Sequence, residues 1–301
     1  MTLRRIFAGA AAAAIASVGL VACGNDSADD TAADGTTTAA AASGETVRIG
    51  TTDANLKEWD VFADLVEEEG IDIEIVPFSD YNTPNDALAQ GQIDVNKFQH
   101  LKFLASYNEG AGEELVPYAS TEIYPLALFW QGHDSLDGIE GEEVAIPNDA
   151  TNQGRAINVL VQAGLVTLKE EGLLDPAPAD IDTEASQVQV IAVDAAQTTT
   201  VFHEGRPAVI NNSFLERAGI DPLDAIFQDD PDNEQAEPYI NVWVTTPDKA
   251  DDETLNRLAE IWKDQAVTDA IMESSGNTAV TVERPAEDLT EIMERLAAGE
   301  Q

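Results

Sequence analysis

Short runs of β-branched residues and longer stretches of helical period follow one another from Val47 towards the C-terminus. The strand-like runs are Val47-Arg48-Ile49, Ile71 to Val76, Val144-Ala145-Ile146, Val188 to Val193, Ala208-Val209-Ile210 and Ile240 to Val244. Apolar Ile157, Leu160, Val161 and Leu165 recur at the spacing of one helix face and predict a helix over 152–165. Leu255, Leu258, Ile261, Trp262, Val267 and Ile271 form a second stripe and predict one helix over 252–274. Pro84, Gly91, Pro147 and Gly219 punctuate the joins. Strands alternating with helices predict an α/β architecture with parallel sheets. Ligands of such sheets collect beyond the carboxyl ends of the strands, so candidate sites are sought there.

The first 44 residues follow a different rule. Arg4 and Arg5 precede an Ala-rich apolar stretch that reaches Cys23 through Leu20-Val21-Ala22. A charged start, a short apolar stretch and small residues before a cleavage point describe a secretory signal over residues 1–22. The stretch is shorter than the roughly 20 apolar residues a bilayer core requires. Residues 24–44 hold Gly, Ser, Thr, Ala and four aspartates, with no large apolar side chain to offset the entropy of ordering. They are expected to form a disordered tether spanning roughly 25 Å. The folded body starts near Glu45.

Charge narrows the partners. The chain carries 15 basic and 57 acidic residues, a net −42 at pH 7. Loss of residues 1–22 removes two arginines and no acid, which takes the balance to −44 over 279 residues. That charge excludes nucleic acid and disfavours an anionic bilayer as direct partners. It does not make the ligand a cation, because the acids spread along the whole chain as on a solvated surface. Pairs such as Asp229-Asp230 fall in expected loops.

Four segments carry candidate chemistry. Asn148 to Arg155 follows the strand Val144-Ala145-Ile146, and Asp149 or Thr151 can cap the helix starting there. Free backbone N–H groups, the helix dipole and the fork of Arg155 together suit a small anion. The alternative is a capped helix with Arg155 in a structural salt bridge. Phe78 to His100 puts Tyr81, Phe98 and His100 at the ends of two expected strands. Aromatic rings there can hold an apolar or thioether side chain, or Phe98 is core and His100 a surface or satisfied histidine. Asn211 and Asn241 each place an amide beside a strand, able to read an amino or carboxylate group.

These segments, in this order, resemble the NlpA-type methionine-binding lipoproteins, the solute-binding components of methionine ABC importers. The resemblance covers about two thirds of the mature chain, from Ile71 to the Trp262 region. It rests on DY-x-x-PN-x-AL-x-x-G-x-ID-x-N-x-FQH from Asp80, IYP at Ile123, VAIPND-x-TN-x-GRA from Val144, AVIN at Ala208 and PYIN at Pro238. Leu-Val-Ala-Cys also resembles a bacterial lipobox, which implies acylation of Cys23 and anchoring on the extracytoplasmic face of the cell membrane. The family implies a two-lobed periplasmic-binding-protein-like fold (type II) with the ligand in the inter-lobe cleft. Lobe 1 is expected over 45–126 and 240–301, and lobe 2 over 127–239. It also implies an aromatic cage of Tyr81, Phe98 and His100 around the ligand side chain, with Tyr124 lining the same cleft. Arg155 would meet the ligand α-carboxylate with Asn152 nearby, and Asn211 and Asn241 would hold the amino acid end. Gly50 to Gly70 lacks the glycine-proline run of many relatives, and Trp59 is a departure that could bring this loop to the ligand.

The expected function is therefore capture of methionine, L or D, or a close analogue. Delivery would go to a permease powered by a separate ATPase, since the chain has no Walker A sequence. The protein is expected to be a monomer without cofactor or metal. Alternatives are another small amino acid or a methionine-containing peptide on the same fold, or a surface lipoprotein without a transport role. Catalysis is disfavoured: no G-x-S-x-G occurs, Cys23 is the only cysteine, and His100, His133 and His203 share no motif. The scattered histidines give no metal-ligand spacing either. Trp59, Trp130 and Trp243 are candidate reporters of the cleft.

Overall fold

The computed structural model describes residues 46–299. The signal segment, Cys23 and the tether lie outside the described residues. In chain order the elements are β1 (Val47–Thr51), α1 (Lys57–Glu68), β2 (Ile73–Pro77), α2 (Pro84–Ala89), β3 (Val95–His100), α3 (Leu101–Ala111), β4 (Val116–Ser120), β5 (Glu122–Ile123) and β6 (Ala127–Phe129). Then come β7 (Glu143–Pro147), α4 (Ala150–Gln162), β8 (Gln189–Val193), α5 (Thr198–His203), β9 (Ala208–Ile210) and β10 (Phe227–Gln228). The chain ends with β11 (Asn241–Thr245), α6 (Glu253–Trp262), α7 (Gln265–Ser274), β12 (Val280–Thr281) and α8 (Ala286–Ala297).

Two five-stranded sheets carry the fold, in the orders β2-β1-β3-β11-β4 and β10-β6-β9-β7-β8. Each sheet builds one lobe of the periplasmic-binding-protein-like architecture. The sheets are mixed, which corrects the expectation of parallel ones. β1 runs parallel to β2 and β3, whereas β11 is antiparallel to both β3 and β4. In the second sheet β7 is parallel to β8 and β9, but β6 is antiparallel to β9 and to β10. The reversal at β11 follows from the route of the chain. It leaves the first sheet through residues 124–126 and re-enters through 229–240 as β11, without the helical crossover that a parallel strand needs.

The single helix expected over 252–274 is two. Asp264 adopts extended backbone and its side chain accepts from the Ala266 N–H, so it ends α6 and caps α7. The apolar stripe continues across the break, which is why the pattern read as one element. Trp59, Phe62, Trp243 and Trp262 interlock in the core of the first lobe, with the Trp59 and Trp262 rings 4.6 Å apart. The second lobe packs Ile157, Leu160 and Val209 between α4 and its sheet. Both cores close behind the strand ends that face the gap between the lobes.

Candidate functional site

Strand β3 is buried at every position and runs straight into α3, so its last residues are held from both sides. His100 ends the strand and caps the helix, its Nδ1 accepting from the Phe103 N–H at 3.1 Å. An accepting Nδ1 places the proton of the neutral ring on Nε2, which faces Asn152 Oδ1 at 3.4 Å. Burial, followed by the nearby charge of Arg155, pushes His100 down to about 3. It is therefore a neutral donor at physiological pH. The buried amides of Asn85, Asn96 and Gln99 bond to one another at 2.6–2.9 Å. They account for several of the motif's polar positions as a brace joining α2 to β3.

Across the gap, Asp149 caps α4. Its Oδ1 accepts from the Asn152 N–H and from Asn152 Nδ2, each at 3.0 Å. That fixes the Asn152 amide with its oxygen outward, where it accepts from Asn211 Nδ2 at 2.9 Å. The chain of donors runs out there: Asn211 Oδ1 is buried without a hydrogen-bond partner. On the first lobe, Asn241 Nδ2 is spent on the Glu122 carbonyl at 3.1 Å.

One cleft gathers all eight sequence-derived positions: Tyr81, Phe98, His100, Tyr124, Asn152, Arg155, Asn211 and Asn241. Tyr81 packs against Phe98 at 5.9 Å, Phe103 at 6.0 Å and Phe214 at 4.8 Å, which makes one wall aromatic. Burial raises the Tyr81 phenol well above its usual range, so it stays protonated.

Arg155 departs from the simplest expectation. It lies in the second turn of α4, and the anion that answers it is part of the protein. Nε and Nη2 bond Asp229 Oδ2 and Oδ1 at 2.7 and 3.2 Å, and Nη2 also bonds the Tyr124 carbonyl at 2.9 Å. The guanidinium stacks on Tyr239 at 4.1 Å. Arg155 thus forms the structural salt bridge and also lines the cleft. Nη1 alone has no partner among the described residues. Asp229 is thus a partly buried counter-ion and not a solvated loop acid, and nothing in its local sequence separates it from its neighbour Asp230.

Other parts of the sequence reading change. Phe103 also lines the cleft; it stands in the first turn of α3, three residues after the capping His100. Trp59 is core, 1% exposed, with its indole N–H on Asp53 Oδ1 at 2.8 Å. None of Trp59, Trp130 and Trp243 lines the cleft, so the expected reporters sit elsewhere.

Residues 47–282 match the family model described as NlpA lipoprotein. The chain belongs to the NlpA lipoprotein family. This NlpA lipoprotein is 35% identical over 208 residues to the D-methionine-binding lipoprotein MetQ of Salmonella typhi, covering 68% of the chain and 75% of that relative. In structure it resembles protein PG110 of Staphylococcus aureus, with a TM-score of 0.78, 32% identity and coverage of 84% of this chain and 100% of that one. It also resembles the substrate binding protein of a methionine transporter from Streptococcus pneumoniae, with a TM-score of 0.71, 30% identity and coverage of 79% and 95%. The Salmonella and Streptococcus relatives are named for binding and transport, not for catalysis. Among the described residues, no cluster of His, Cys, Asp or Glu fit to hold a metal occurs in this family member.

Proposed function

We propose that this NlpA lipoprotein is an extracytoplasmic receptor that captures methionine, L or D, or a close analogue for an ABC importer. The observation that carries the reading is the polarity of the cleft. An aromatic wall of Tyr81, Phe98 and Phe103 faces a polar end where Asn211 Oδ1 lacks a donor and where Arg155 is bonded through Nε and Nη2, which leaves Nη1 for an acceptor. An α-amino acid with a long apolar side chain supplies all three complements. Its ammonium donates to Asn211 Oδ1 with Asn241 alongside, its carboxylate accepts from Arg155, and its thioether lies among the rings. His100 and Asn152 hold that polar end in register, and Tyr124 closes one side.

The receptor acts as a monomer, anchored through two acyl chains on Cys23. Two chains give durable attachment where one gives only marginal binding. A permease with a separate ATPase receives the ligand from the closed lobes. Mass spectrometry of small molecules released by denaturing freshly purified protein tests the ligand. Methionine is the expected species, and a sugar or another class of solute would refute the assignment. Cys23→Ala should release the protein from membranes; unchanged retention would refute the anchor.

A further inference from the structure

Arg155 bridges both segments that link the lobes. Its Nη2 bonds the Tyr124 carbonyl at 2.9 Å on the outgoing crossing. Its Nε and Nη2 bond Asp229, and its plane stacks on Tyr239, both on the returning crossing. Asp229 is held as firmly as the arginine: its Oδ1 accepts from the Leu126 N–H at 2.8 Å, and its own N–H bonds the Leu126 carbonyl at 3.2 Å. The side chains of Arg155 and Asp229 are 7% and 15% exposed, so solvent does little to screen the pair. Asp229 is absent from the cleft lining, so it reaches a bound molecule only through Arg155.

We propose that Asp229 is a positioning residue that turns Arg155 so that only Nη1 meets the ligand and offsets much of its charge. The carboxylate then contributes less to affinity than the ammonium and the side chain do. This rests on the methionine reading above. A ligand carboxylate at Nη1 sits roughly twice as far from Asp229 as from the guanidinium, so Coulomb repulsion cancels about half of the attraction. The two-pronged contact open to a free arginine is also lost, because Nε and Nη2 are already engaged. The cleft should therefore tolerate a neutral group in place of the carboxylate.

The test compares methionine with methioninamide of the same hand by calorimetry at pH 6, where both keep their ammonium. For the wild type, the acid should bind less than about thirtyfold more tightly than the amide, which is below the usual cost of breaking a buried charge pair. Asp229→Asn keeps an acceptor for the Leu126 N–H but removes the charge. It should widen the acid-to-amide ratio by about threefold to tenfold, and Asp229→Glu should return the ratio to the wild-type value. A purely structural Asp229 would weaken both ligands equally and leave the ratio unchanged. That result, or a wild-type ratio above thirtyfold, overturns the proposal. If Asp229→Asn does not fold, the wild-type ratio decides alone. Failure of the wild type to bind either compound would instead overturn the methionine reading itself.

Discussion

Three polar side chains in the cleft take their orientation from a protein neighbour before any ligand arrives. The Phe103 N–H sets the His100 tautomer, Asp149 sets the Asn152 amide, and Asn152 in turn sets Asn211. Such prior ordering lowers the entropy that binding must overcome. The apolar end works differently, because the Phe98 ring is fixed only by packing against Tyr81 and Phe103. Phe98→Ala should weaken methionine binding by roughly tenfold to a hundredfold more than it weakens alanine binding, since burying such a side chain is worth about 1.5–3 kcal/mol. The readout is the ratio of the two affinities by calorimetry, because loss of a core aromatic also lowers stability. Equal losses would make Phe98 purely a core residue. Tyr81, Phe98 and His100 were legible because aromatic residues stand close to expected strand ends, and Arg155 because it follows such an end in a capped helix. The counter-ion of Arg155 was not: Asp229 is one acid among 57, and only the fold brings it 74 positions back to its partner.

Helix α1 carries a feature that no periodicity reveals. Glu58 stands in its first turn, where the helix dipole favours an acid. Yet it is fully buried, and neither carboxylate oxygen has a hydrogen-bond partner. Burial, with the nearby Asp53, pushes Glu58 up to about 7 from 4.5. Lys97 on β3 is the cation in this region, and it is paired with Glu122 at 2.5 Å. Between pH 4.5 and 7 the folded protein therefore holds a proton on Glu58 that the unfolded chain releases. Stability from this group falls as pH rises through that window, by up to about 3 kcal/mol. His100 acts oppositely, since its folded value lies below its unfolded one and acidification below pH 6.5 costs stability. Denaturant unfolding of wild type and Glu58→Gln across pH 5–8 separates the two. The wild type should lose stability relative to the variant as pH rises, and parallel curves would mean that Glu58 does not titrate there.

The elements themselves were unevenly legible. α4, β7, β8, β9 and β11 follow from apolar runs, with ends within about two residues except at the C-terminus of α4, read three residues too long. β4 and β6 did not stand out: the first contains Pro117, and the second has three residues and no alternation. The break at Asp264 is a capping event, which a stripe of apolar residues passes over.

At the scale of the whole molecule, the lobes meet through polar contacts around the cleft as well as through the crossings. Asn55 bonds Glu216 at 2.8 Å, Asn82 bonds Asp194 at 3.0 Å, and Arg217 bonds the Ser79 carbonyl at 2.8 Å. These three contacts are exposed and individually weak. The alternation of strands and helices gave the α/β class. The two lobes followed from the family resemblance, because no local signal marks where a chain leaves one sheet for another. The buried tryptophans make heat a better readout of binding than fluorescence. The most direct measurement is a calorimetric titration of the lipid-free body, stripped of bound solute by unfolding and refolded, with L- and D-methionine. Saturable one-to-one binding of at least one form is the expected result. Absence of binding by both, from protein whose fold is intact, would contradict the account.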